Sequence, residues 1–208
     1  MLRKFFNLTA IISLQDYYDI ATELLDSYLF EFPDSPTAMN MKSALKYKTA
    51  DARAALSELK PLMSQNYCLE DNVYIQHNHA IFSGGKECQE TLSELVDVVE
   101  EAKINLATFH ITEGNFEDAL EALEDEDVEA LSSNSLIIKA TALAMEGQAK
   151  MNRKMIKESR SYFERVGAST KDCDTIPGRQ SMAASLFLGK SFDDANIYLS
   201  SIKQYLGK

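Results

Sequence analysis

The sequence is poor in the residues that make turns, with 8 glycines and 4 prolines among 208 residues. A protein built of many hairpin turns or long linkers uses more of both, so this scarcity favours helices. Cysteine is also scarce, and Cys68, Cys88 and Cys173 lie far apart without forming a C-x-x-C pair. Neither a disulfide framework nor a structural zinc site is therefore indicated, and a reducing cytoplasm fits best.

Basic residues are few as well: 21 Lys and Arg stand against 32 Asp and Glu, which gives a formal net charge of -11. Nucleic acids and anionic membranes are bound mainly through Lys and Arg, so neither is an expected partner, and basic protein partners fit better. No apolar run reaches about eighteen residues, so no direct membrane insertion is expected. Residues 1–14 have two basic residues and an apolar stretch, but polar residues interrupt it and no cleavage site follows, which favours an amphipathic helix over a signal peptide.

One helical pattern, in contrast, recurs six times, beginning at residues 18, 52, 88, 116, 156 and 192. Its residues are spaced at steps of three, four and three, which places them on one side of a helix. The second residue is always small and lets the preceding helix approach, as in tetratricopeptide repeats, whose period is about 34 residues. The third copy reads Cys88, Thr91, Leu95 and Val98. The residues that we predict to pack the repeats are Tyr18, Ala21, Leu25, Ala55, Leu59, Thr91, Leu95, Phe116, Ala119, Leu123, Phe163, Phe192, Ala195 and Leu199.

A second apolar helical stretch precedes most copies, so we expect twelve helices in about six antiparallel pairs. The predicted fold class is all-α, a tetratricopeptide-like right-handed superhelical solenoid that forms a single domain over residues 1–208. The segment 147–158 is longer than a tight turn requires and should make the fifth pair the least regular. The approximate pairs are 1–33, 35–66, 69–99, 100–130, 133–168 and 175–206.

Catalytic and metal-binding patterns are missing. The sequence has no phosphate-binding loop, dinucleotide fingerprint, hydrolase elbow or zinc-protease helix. His77 and His79 are two residues apart on a predicted helix, so they diverge and cannot hold one metal ion. His110 occupies a packing position of its helix. We therefore expect no catalytic, metal or cofactor-binding residues and no enzyme activity.

The segment 173–179 is unusual because it places Pro177 in a first helical turn, with Thr175 or Asp174 as the cap. Arg179 lies close to the same helix N-terminus, where the helix dipole disfavours a cation. A carboxylate should compensate it, either from this chain, such as Asp172 or Asp174, or from a partner. Asp174 and Arg179 are the candidate partner-binding residues.

Three segments resemble one known family. CDTIPGRQSMAASLFLGKSFDDANIYLSSIKQYL, DYYDIATELLDSYLFEFPDSPTAMNMKS and the intervening residues 82–123 are similar to intraflagellar transport protein 56, also called tetratricopeptide repeat protein 26. The CDTIPGRQ loop followed by FDDANIYL is specific, because ordinary tetratricopeptide repeats share only the small and aromatic positions. Members of that family are longer, so the resemblance places this chain in their central region.

The resemblance implies a non-catalytic scaffold or adaptor subunit of the intraflagellar transport B complex, which carries cargo along cilia and flagella. The implied partners are the other subunits of that complex, including intraflagellar transport protein 46, and ciliary cargo proteins. The implied location is the cilium or flagellum, at its axoneme and basal body, together with the cytoplasm. A truncated array of this kind exposes apolar helix faces and is expected to self-associate.

Two other functions share these helices. A free-standing cochaperone-like module could clamp a C-terminal carboxylate with cations of its first helices, and the candidates are Lys42, Lys46, Lys103 and Lys139. A vesicle-coat solenoid would have the same architecture and the same acidity. Cellular localisation would separate the coat from the ciliary scaffold.

Overall fold

The computed structural model describes residues 17–63, 72–124 and 131–206, and within these ranges the chain forms eleven α-helices and no strand. The predicted all-α class is thereby confirmed, with consecutive helices joined into hairpins. The chain divides into two compact units, residues 1–102 (unit 1) and residues 103–208 (unit 2). The boundary between them falls inside a helix and not in a linker.

Five helices lie wholly within unit 1, and each packs against the next along the chain. Ala21 and Leu25 of the first helix are fully buried against Ala38 of the second. Leu59 of the third helix and Ile75 of the fourth are likewise fully buried, in a second cluster. The five are α1 (Tyr18–Glu31), α2 (Pro36–Thr49), α3 (Ala52–Met63), α4 (Val73–Ser83) and α5 (Gly85–Leu95).

Unit 2 contains most of the sixth helix and all of the following five. Ala107, Ala119, Leu123 and Ala142 are fully buried in one cluster, and Phe163 is buried in the next. The helices are α6 (Glu100–Glu113), α7 (Phe116–Glu121), α8 (Ser133–Ala149), α9 (Arg153–Ala168), α10 (Ile176–Leu188) and α11 (Phe192–Leu206).

Side-chain caps fix where many of these helices begin. A side-chain oxygen of the residue before the helix accepts a hydrogen bond from a first-turn N–H that has no partner within the helix. Such caps raise helix stability by about 1 kcal/mol each. The capping residues are Ser35, Asp51, Asn72, Ser132, Asn152 and Thr175.

The division of the chain into six helix pairs stays a prediction. The first helix of the first pair lies outside the described residues, as do residues 64–71 and 125–130 of the second, third and fourth pairs. Helix α7 spans only Phe116–Glu121 and is followed by a turn over residues 122–124, so it is the shortest of the described helices. The handedness of the superhelix stays a prediction.

The fifth pair is tightly packed, and its predicted irregularity was wrong. Helix α8 continues to Ala149 and α9 begins at Arg153, so the turn between them is short. Gly147 lies inside α8, where a Cβ atom would lie only 3.0 Å from Ile156 Cγ1. This glycine therefore permits close contact of two helices and does not end the first one, and Met151, with φ 51°, makes the turn instead.

Candidate protein-binding surfaces

The predicted packing residues fall into three groups. Nine are buried, three are partly buried, and Phe192 and Leu199 are 57% and 50% exposed. The partly buried ones are Tyr18, Thr91 and Phe116. The buried ones are Ala21, Leu25, Ala55, Leu59, Leu95, Ala119, Leu123, Phe163 and Ala195.

The third copy of the pattern has a different set of buried residues from the predicted one. The sequence predicted Thr91 as a packing residue, but its neighbour Leu92 is the fully buried one. Val99 is 1% exposed and Val98 is 60% exposed, so Val98 was also assigned to the wrong side of the chain. From Cys88 the buried residues of α5 follow at steps of four and then three, whereas the predicted pattern begins with a step of three from that residue. The larger apolar side chain of Leu92 beside Thr91 was the available signal.

In the fifth copy of the helical pattern, the small residue forms a hydrogen bond across the contact between α8 and α9. Ser159 is fully buried, and its hydroxyl donates a 2.6 Å hydrogen bond to the carbonyl oxygen of Ala140. Farther along α9, a Cβ atom on Gly167 would lie 2.7 Å from Met182 Cβ and 2.8 Å from Met182 N. Helices α8, α9 and α10 therefore pack closely enough that their backbones set the size of the side chains between them.

The loop between α9 and α10 is held by Asp172. Its carboxylate accepts a 2.7 Å hydrogen bond from the Ser133 hydroxyl at the start of α8, and its carbonyl oxygen accepts from Thr175 N at 2.8 Å. Thr175, one of the two predicted caps, accepts from Gly178 N at 3.1 Å. Gly178 is buried and its Cα lies against the Asp172 carbonyl.

Arg179 finds its partners inside the chain. Nη2 forms a 2.9 Å ion pair with Asp174, and Nη1 donates a 2.8 Å hydrogen bond to the Ser201 hydroxyl of α11. The Arg179 side chain is only 19% exposed, whereas Asp174 is 85% exposed. The sequence left open whether the compensating carboxylate belongs to this chain or to a partner, and the structure supplies it from this chain. Arg179 also links the start of α10 to α11.

The histidines occupy packing positions. His110 is buried, with Nδ1 3.9 Å from Asp118 Oδ2, and its ring meets that of Phe109 edge-on. His77 is buried and His79 is partly exposed, and each contacts a different neighbour, Asn78 and Ser83. The described residues contain no cluster of three or more His, Cys, Asp or Glu that could hold a metal ion.

Burial lowers the pKa of His77, because the charged imidazolium loses its hydration inside the protein, and the contact with Asn78 only partly offsets this. The unfolded chain then binds a proton more readily than the folded one below about pH 6.5. We expect the free energy of unfolding to fall more between about pH 7.5 and 5.5 in the natural chain than in His77→Gln. Urea titrations at both pH values measure this difference, and parallel losses in the two proteins would contradict it.

An apolar surface is left open on the last helix pair. Phe187 and Phe192 are 58% and 57% exposed and their rings meet edge-on at 5.4 Å, while Leu199 lies two turns along the same side of α11. We call these three residues the α10–α11 patch. Exposed apolar residues in such a group are typical of surfaces that contact proteins. Among the described residues, none of the helices meets the length and hydropathy that a membrane span requires.

These features define a class of protein: a helical-hairpin repeat protein with close backbone packing and a partly uncovered apolar side. Comparison with known sequences then identifies its family. The family described as Intraflagellar transport protein 56 matches residues 9–208, and the chain belongs to that family. A curated relative, the intraflagellar transport protein 56 homolog of Caenorhabditis elegans, is 30% identical over 217 aligned residues, which cover 96% of this chain. The chain spans 38% of the length of that relative.

Proposed function

We propose that this chain is part of a non-catalytic scaffold or adaptor in the intraflagellar transport B complex, acting in the cilium or flagellum. The family match over residues 9–208 carries the proposal. The helix hairpins support it, because stacked pairs offer extended surfaces on which several proteins can be held at once. The proposed partners are other subunits of that complex, with intraflagellar transport protein 46 as the first candidate, and ciliary cargo proteins.

Affinity purification from a ciliated cell tests this role. The tagged chain, expressed at its natural level, should recover intraflagellar transport subunits in amounts well above a tag-only control, and imaging should place it at the axoneme and basal body as well as in the cytoplasm. Recovery of vesicle-coat subunits without any transport subunit would overturn the proposal in favour of a coat.

The carboxylate-clamp alternative finds less support in the geometry. Lys42 forms ion pairs with Asp26 at 2.9 Å and Glu58 at 3.6 Å, and the hydrogen bond that this lysine donates to Asp26 raises the pKa of Lys42. Lys139 donates a 2.9 Å hydrogen bond to the carbonyl oxygen of Leu123. Two of the four proposed clamp cations are thus already bonded to other parts of the chain.

The α10–α11 patch should make the isolated chain self-associate. We expect the double variant Phe192→Glu with Leu199→Glu to shift the chain towards monomer by at least about tenfold in dissociation constant, because it places charge in the centre of the apolar surface. Sedimentation velocity over a range of concentrations measures the shift.

Ile197→Glu is the matched control, since Ile197 is 66% exposed on the opposite side of α11. Equal effects of the control and the double variant would show that the patch is not the contact surface. A natural chain that stays monomeric throughout the concentration range would contradict the prediction directly.

A further inference from the structure

Unit 2 carries a groove of about 670 Å³ beside the turn of the α8–α9 hairpin and the turn that precedes α11. Four cations line it: Arg153, Lys157, Arg160 and Lys190. Arg153, Lys157 and Arg160 are four and three residues apart on α9, which places them on one face of that helix. This is a concentration of positive charge in a chain whose formal net charge is -11.

None of these four cations takes part in an ion pair or a side-chain hydrogen bond within the described residues. Acids of the same hairpin are bonded elsewhere. Glu146 pairs with Lys150 at 2.7 Å, and Glu158 accepts a 2.9 Å hydrogen bond from the Tyr162 hydroxyl. The positive charge of the groove is therefore not neutralised by the acids of α8 and α9.

The groove also has apolar walls, formed by Met151, Ile156 and Leu188. Met151 is 89% exposed and stands at φ 51°, a conformation that is uncommon for a residue other than glycine. A flexible, polarisable methionine at the edge of a groove can adapt to different apolar groups. An occupant that uses the whole groove needs an apolar side chain as well as negative charge.

The groove is firm on the side of the α8–α9 turn, because the end of α8 packs closely on α9. A Cβ atom on Gly147 would lie 3.0 Å from Ile156 Cγ1 and 3.2 Å from Ile156 N. On the other side, a Cβ atom on Gly189 would lie 2.8 Å from the guanidinium carbon of the flexible Arg160 side chain. The Arg160 side chain thus lies along the backbone of the turn after α10, with its charge at the groove. A binding surface that is already formed loses little conformational entropy when a ligand binds.

We infer that this groove binds an acidic peptide segment of a partner protein, one that carries an apolar side chain between its carboxylates. The carboxylates pair with Arg153, Lys157, Arg160 and Lys190, and the apolar side chain lies on Ile156 and Leu188. The net negative charge of the whole chain disfavours long polyanions and anionic membranes, but a short segment meets mainly the local field of the groove. The inference is independent of the ciliary role proposed above.

Fluorescence anisotropy with the whole chain tests the inference. The probe is a fluorescein-labelled peptide of alternating Glu and Leu, and the reference peptides are Glu alternating with Ser and Lys alternating with Leu. The Glu–Leu peptide should bind saturably, with an affinity that falls as salt concentration rises. We expect both reference peptides to bind at least about tenfold more weakly.

Arg153→Gln with Lys157→Gln should weaken binding of the Glu–Leu peptide by about tenfold. The matched control is Lys154→Gln with Lys171→Gln, which removes the same charge at exposed positions outside the groove and should leave binding unchanged. Met151→Asn tests the apolar wall with a residue that tolerates the positive φ, and should reduce the preference for Leu over Ser in the peptide.

Equal loss in the two charge variants, or no saturable binding, would overturn the inference. It would also be overturned if vesicles containing phosphatidylserine bound the chain more tightly than the peptide and through the same two residues, because the groove would then be a membrane contact. Circular dichroism of each variant before titration verifies that a lost signal reflects binding and not unfolding.

Discussion

Gly178→Ala is expected to lower the free energy of unfolding by about 3 kcal/mol or more, a large loss for a single methyl group. The added Cβ atom would overlap the carbonyl oxygen of Asp172 and lie 2.5 Å from its carbonyl carbon. That carbonyl cannot move freely, because its oxygen accepts hydrogen bonds from the N–H and the hydroxyl of Thr175, and the Asp172 side chain accepts another from Ser133. Relief of the overlap therefore breaks the cap of α10.

Gly189→Ala is the matched control in the same unit. Its Cβ atom would also meet an atom at short distance, 2.8 Å, but that atom belongs to the end of the Arg160 side chain, which can swing aside. We expect a loss of about 1 kcal/mol or less. Urea titration followed by circular dichroism compares the two variants through their midpoints and slopes. Equal losses in the free energy of unfolding would show that the loop around Asp172 can shift to accommodate the added methyl group, and that Gly178 is not specifically required there.

Leu59→Ala is expected to cost about 2–5 kcal/mol, whereas Leu199→Ala should cost about 1 kcal/mol or less. The two leucines occupy the same place in the second and sixth copies of the helical pattern, so the sequence alone predicts equal effects. Leu59 is fully buried, between α3 and its neighbours, and its truncation leaves a cavity. Leu199 is 50% exposed, so about half of the surface of this residue already contacts water.

The comparison uses the same urea assay on both single variants. A small loss for Leu59→Ala would mean that this core collapses around the missing side chain. A loss for Leu199→Ala close to that of Leu59→Ala would mean that the α10–α11 patch is covered in solution, by a second copy of the chain or by another part of it. Repeating the titration at several protein concentrations separates those two causes, since only the first depends on concentration.

Local sequence patterns predicted only part of the candidate binding surfaces. The sequence placed a carboxylate beside Arg179 by an electrostatic argument, and Asp174 meets that expectation. It did not reveal the groove around Arg153 and Lys157, because the groove is formed by residues from two turns that are distant in the chain. Nor did it reveal that Gly147 joins two helices, since glycine within a sequence equally suggests a helix end.

The sequence by itself determined that this protein is a series of helix hairpins, because helical periodicity, capping residues and turn residues act over a few neighbouring positions. The same short-range information decided the family, through the loop CDTIPGRQ and the segments around it. The tertiary structure alone decided which equivalent positions are covered, such as Leu59 but not Leu199, and which glycines are required. Burial and backbone approach depend on what the neighbouring helices place opposite each residue, and six similar helical patterns do not have six similar neighbours.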